Sequence, residues 1–185
     1  MEKIVEVMHP WHIPIGTDTP KVVRAIIEIP KGSRMKYELH KETGLLRLDR
    51  VLFSSIYYPM NYGLVPQTWF DDEDPLDILV ICSFELEPLS VVEAKVIGIM
   101  HMEDENGIDD KIISVAANDP AYHEINDLND IPEHHMNELK HFFEGYKALE
   151  QKKVIVGNMG SKERAWECIV RSMKLYKDKF SDVTK

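Results

Sequence analysis

Asp71-Asp72-Glu73-Asp74-Pro75-Leu76-Asp77 places five acids in seven residues and runs directly into the apolar segment Ile78-Leu79-Val80-Ile81-Cys82. Charge of that density is tolerated only where water screens it, as on a solvated turn, or where cations neutralise it in a cleft. The short, bounded apolar run behind it reads as a strand buried on both faces, which ties the acids to the rigid rim of a core. A fold that accommodates this stretch must end a central strand at a polar rim.

The 185 residues, 44% of them hydrophobic, suffice for one core, and no Pro/Gly/Ser-rich linker divides them. We therefore expect one catalytic domain over residues 1–185, with an N-terminal arm (1–20), a barrel with its loops (22–116) and helices (132–180). A net charge of −10 disfavours nucleic acid and anionic membrane as partners, since both demand clustered Lys/Arg. The start, Met1 to Glu6, lacks the apolar core of a signal peptide, and no window approaches a membrane span, so a cytoplasmic location is expected. Cys82 and Cys168 are isolated and read as reduced core residues.

Residues 8–20, interrupted by Pro10, Pro14, Gly16 and Pro20, read as an extended surface arm. Strands are expected over Val22 to Ile29, Met35 to His40, Leu45 to Leu52, Ile78 to Cys82, Val91 to Met102 and Lys111 to Ala116. In the second of these, Met35, Tyr37 and Leu39 point inward. Glu28, Lys36, Glu38 and Arg50 gather on one polar face, while Tyr57 to Gly63 reads as an aromatic loop. Strands at hairpin spacing before any helix favour an antiparallel closed or nearly closed barrel. Helices follow late. One starts at Pro132 and runs to about Leu149; the other starts after the cap Ser161, with Trp166, Ile169, Val170, Met173, Tyr176 and Phe180 on one stripe. The class is α+β, mainly β.

Asp72, Asp74 and Asp77, with Asp104, Glu105, Asp109 and Asp110 of a second acidic loop, offer only hard oxygen ligands, which select Mg²⁺, Mn²⁺ or Ca²⁺. An EF-hand starting at Asp72 fails, because Asp77 stands where glycine belongs and Ser83 where the bidentate Glu belongs. The residue types leave a solvated acidic turn and a metal site both open. Lys36, Arg50, Lys111 and Lys147, with Tyr62 and Tyr146, sit beside the acid-bearing elements. Singly each reads as surface lysine or core tyrosine; together, with cations on the acids, they describe a phosphoryl-transfer site. No GxxxxGK[ST] or GxGxxG pattern supplies a nucleotide cradle. The histidines show no HxxxH or HExxH spacing, and His134 and His135 read as exposed.

Seven ordered motifs then resemble the soluble family I inorganic pyrophosphatases: Ile27-Glu28-Ile29-Pro30, Lys36-Tyr37-Glu38, Asp49-Arg50, Tyr58 to Gly63, Asp72 to Asp77, Asp104-Glu105 through Asp109-Asp110-Lys111, and His141 to Lys147. The resemblance implies a five-stranded OB-like barrel flanked by two C-terminal helices and a few short strands. It implies hydrolysis of inorganic pyrophosphate with Mg²⁺, Mn²⁺ or Zn²⁺ being possible substitutes, in a homo-oligomer, typically a hexamer. Asp72, Asp77 and Asp109 would hold two Mg²⁺ ions, Asp104 with Asp109 a third arriving with substrate, and Glu28 would lie near a further one. Asp74 would be the general base. Lys36, Arg50, Tyr62, Lys111, Tyr146 and Lys147 would hold phosphate oxygens, and Glu38, Tyr58 and Glu105 would support ligands or metal-bound water. Glu73 departs from the family, which has a small or short residue there. Two rivals are an inactive or regulatory relative and an OB-fold module for single-stranded nucleic acid; the acids on the functional loops oppose the latter.

Overall fold

The computed structural model describes residues 9–181; the expected beginning of the arm, residues 1–8, lies outside them. Nine strands precede or separate two helices: β1 (Val22–Ile29), β2 (Met35–Leu39), β3 (Leu46–Val51), β4 (Asn61–Leu64), β5 (Asp77–Ile81), β6 (Val91–Asp104), β7 (Gly107–Ile108), β8 (Lys111–Ala116), α1 (Glu133–Gly145), β9 (Ile155–Ser161) and α2 (Lys162–Lys179). Five of the strands, in the order β1, β4, β5, β8 and β6, form a ring that closes where β6 pairs β1. β6 is the spine. Its 14 residues pair β1, β7, β8 and β9, and register shifts between Val96 and Gly98 and between Met100 and Met102 bend it around the ring.

One expectation about the barrel is corrected: β5 and β8 run parallel, whereas the other four pairings in the ring are antiparallel. The long β6 lies between them in sequence and supplies the crossover that a parallel pair needs. The aromatic segment expected to be loop contains β4 from Asn61 onward. Gly63 permits its approach to β1, since a Cβ there would lie 1.9 Å from the carbonyl oxygen of Ile26.

Side-chain alternation along β5 explains why its apolar run is continuous. Leu79 and Ile81 join a core beneath α1, with Leu139, Phe142 and Phe143, while Ile78 and Val80 join a second core beneath α2, with Ala165 and Ile169. Each fully buried Leu, Ile or Phe contributes about 1.5–3 kcal/mol. α1 ends at Gly145, earlier than expected. The chain tightens into a 3₁₀ turn, Ala148–Glu150, and Leu149 is exposed. Val170 and Met35 are likewise exposed rather than inward, and both cysteines are free and only half-buried. The arm is anchored by Trp11, which is buried and stacks on Trp69 with Phe180 edge-on. No helix among the described residues is long and apolar enough to cross a membrane.

Candidate active site

The register of the ring sets the site. The parallel pairing puts Asp77 opposite Lys111, and the β4–β5 pairing puts Leu64 opposite Asp77, so Tyr62, two residues away, shares its face. Lys111 Nζ donates to Asp77 Oδ2 at 2.6 Å, to Asp109 Oδ1 at 2.8 Å and to the Tyr62 hydroxyl at 3.3 Å. The Tyr62 hydroxyl in turn donates to Asp77. The β2–β3 hairpin pairs Lys36 with Arg50 across its strands, and Glu28 of β1 accepts from the Leu39 amide at 2.6 Å, which fixes that hairpin to the barrel.

These elements enclose a cleft of about 580 Å³. Its walls bring together Glu28, Lys36, Glu38, Arg50, Tyr62, Asp72, Asp74, Asp77, Asp104, Glu105, Asp109, Tyr146 and Lys147. Two sequence-expected residues lie outside the wall. Lys111, 1% exposed, sits beneath the acids, and Tyr58, equally buried, packs behind Tyr62 and against Phe142. Of the other acids in the two loops, Asp71 pairs with Arg171 on α2, and Asp110 accepts from the Met102 amide and meets His101, so both serve packing. Glu73 adopts φ +66°, and its carbonyl accepts from Lys41.

The acids outnumber the cations that could balance them. Burial, reinforced by Asp77, pushes Glu28 up to about 8 and Asp72 up to about 6. Burial likewise raises Asp109, to about 7, with Asp77 adding to the effect and Lys111 opposing it. Burial alone would lower the Lys111 ammonium, yet Asp109 and Asp77 hold it well above its ordinary value. Lys147 Nζ meets Asp104 at 2.7 Å and Glu105 at 3.2 Å. Burial works to raise Glu105, but hydrogen bonds from Lys152 and Lys147 hold it at about 2. Among the described residues no three His, Cys, Asp or Glu side chains converge into a ready coordination cluster. The donor set nonetheless fits a hard cation: it is all oxygen, half-buried or buried, and short of positive charge.

Sequence reasoning missed four partners. Lys41, at the hairpin tip, reaches Asp74 Oδ1 at 2.7 Å. Asp49 sits between Lys36 and Arg50, Glu150 accepts from Arg50 Nε at 2.8 Å, and Lys152 meets Glu105 at 2.9 Å. Asp49 adjoins Arg50 in sequence and was visible within its motif. The others had no local signal, because each pairing closes across distant segments.

A closed OB-like barrel that gathers oxygen-only acids against amines, a guanidinium and phenols defines a class of enzyme built to handle phosphate anions. A family model described as inorganic pyrophosphatase matches residues 25–177. The chain belongs to the inorganic pyrophosphatase family. It is 46% identical over 171 residues to soluble inorganic pyrophosphatase 4 of Arabidopsis thaliana, covering 92% of this chain and 79% of that one. It is 44% identical to soluble inorganic pyrophosphatase 2 of Chlamydomonas reinhardtii, with 93% and 90% covered. Among solved structures, the inorganic pyrophosphatase of Thermus thermophilus superposes with a TM-score of 0.89 at 41% identity, covering 92% of this chain and 99% of that one.

Proposed function

We propose that this chain, acting as a single catalytic domain, hydrolyses inorganic pyrophosphate to two phosphates with Mg²⁺, and that Mn²⁺ or Zn²⁺ can substitute. The observation that carries the reading is the meeting, in one cleft, of Asp72, Asp77 and Asp109 with Lys36, Arg50 and Lys147. Asp72, Asp77 and Asp109 would hold two of the ions, Asp104 with Asp109 one that enters with substrate, and Glu28 would lie near another. When bound, the cations supply charge neutralisation and lower the pKa of the attacking water.

Asp74 accepts the proton of that water as general base, and its carboxylate is paired with Lys41. Lys36, Arg50, Tyr62, Tyr146 and Lys147 hold phosphate oxygens, Lys36 and Arg50 favouring the leaving phosphate, with Lys111 contributing from below the acids. These donors cancel the charge that makes pyrophosphate repel a nucleophile. Glu38, Tyr58 and Glu105 orient the groups around them. Glu38 does so through contacts to Lys36 and Arg47. Family resemblance further supports a cytoplasmic homo-oligomer, a hexamer, with neither nucleic acid nor membrane as partner. Phosphate release from pyrophosphate in Mg²⁺, in chelator and by Asp74→Asn tests the reading. Equal turnover by wild type and Asp74→Asn would remove Asp74 from the role of base.

A further inference from the structure

Arg50 carries three nitrogens that can donate, and the structure treats each differently. Nη1 donates to Asp49 and Nε to Glu150 Oε1 at 2.8 Å, while Nη2 is buried and has no partner among the described residues. A desolvated guanidinium donor without an acceptor is costly in the free protein, and an anionic oxygen is the group that satisfies it best. Two anchored nitrogens leave the planar fork no freedom to turn, so the third keeps one direction.

The anchor at Nε comes from far along the chain. Glu150 ends the 3₁₀ turn that follows α1, and its amide donates to the Lys147 carbonyl at 3.0 Å. Its side chain is 8% exposed, against 20% for Arg50. Arg50 lines the cleft and Glu150 does not. The same short segment thus sends Tyr146 and Lys147 into the cleft directly and grips Arg50 from behind.

We infer that Glu150 is a positioning residue for pyrophosphate, acting through Arg50 by fixing the orientation in which its guanidinium meets the substrate's phosphate oxygens. The inference rests on the pyrophosphatase reading. The geometry behind it is that Arg50 lines the cleft, while its anchor Glu150 is more deeply buried and stays outside the lining.

The test is a double-mutant cycle on the full chain in Mg²⁺, with steady-state hydrolysis of pyrophosphate and thermal unfolding as readouts. Glu150→Gln keeps the volume and one acceptor; Glu150→Ala keeps neither. Loss of a charge-assisted hydrogen bond and of orientation predicts that kcat/KM falls about 10-fold for Glu150→Gln and about 100-fold for Glu150→Ala, chiefly through KM. In an Arg50→Lys background, which has no fork to orient, Glu150→Gln should cost less than about twofold further. The same loss factor in both backgrounds overturns the inference, as does a KM within twofold of wild type in both variants. If both variants unfold, the pair is structural and the positioning role falls. Absence of hydrolysis by wild type would instead remove the pyrophosphatase reading itself.

Discussion

Replacing Glu28 by Gln isolates the charge that the free cleft tolerates least. Glu28 is 7% exposed, it accepts from the Leu39 amide at 2.6 Å, and burial with Asp77 nearby raises it from 4.5 to about 8. Gln keeps the acceptor and cannot ionise. Because the folded value lies above the unfolded one, the folded protein binds the extra proton between about pH 4.5 and 8. Stability from this group is therefore present at low pH and lost as pH rises through that window. At about 1.4 kcal/mol per pH unit, the full window is worth about 5 kcal/mol as an upper bound. At pH 6 roughly 2 kcal/mol of it has been spent, leaving about 3 kcal/mol to be lost by pH 9. Urea unfolding of the metal-free protein in chelator, followed from pH 5 to 9, measures this directly. Wild type should lose stability relative to Glu28→Gln by about 3 kcal/mol between pH 6 and 9. Parallel stability curves for the two proteins across that range would refute the reasoning.

Three further substitutions probe separate parts of the account. Asp74→Asn should lower kcat by about 10²- to 10⁴-fold, the range of general-base catalysis, with folding unchanged by circular dichroism. Lys111→Met leaves Asp77 and Asp109 buried without their shared cation. It should cost about 3–5 kcal/mol in urea unfolding at high pH, and the loss should shrink as pH falls toward about 7, because Asp109, no longer held down by Lys111, takes up a proton above that value. Glu73→Gly relieves a left-handed residue at φ +66° while sparing the contact from Lys41, which uses the backbone carbonyl. It should raise stability by about 1 kcal/mol, and a loss of stability would contradict the strain.

What the sequence revealed and what it hid follow from the range of each interaction. β1 and β8 have the bounds expected of them, β1 from its alternation and β8 from its short apolar run, because both patterns are local. β5 begins at Asp77 rather than Ile78, and that one residue matters, since it sets Asp77 into register with Lys111. β4 hid behind Pro59 and Gly63, where the glycine serves a close approach to β1 that no local pattern encodes. β9 hid in Gly157 and Gly160, whose weak strand preference is overridden by pairing to β6. The parallel turn of the ring had no signature at all, being a property of how β6 spans it. At the site, residue types and motif order were readable, whereas depth and pairing were not. Nothing in sequence distinguishes Lys111, buried beneath the acids, from Lys36 on the wall, or joins Arg50 to Glu150 a hundred residues on.

The most direct test of the central claim is phosphate release from pyrophosphate by the purified chain, first in chelator and then after addition of millimolar Mg²⁺. The account predicts no turnover in chelator and rapid release on Mg²⁺ addition. Release that is unaffected by chelator, or no release with Mg²⁺ present, would contradict it.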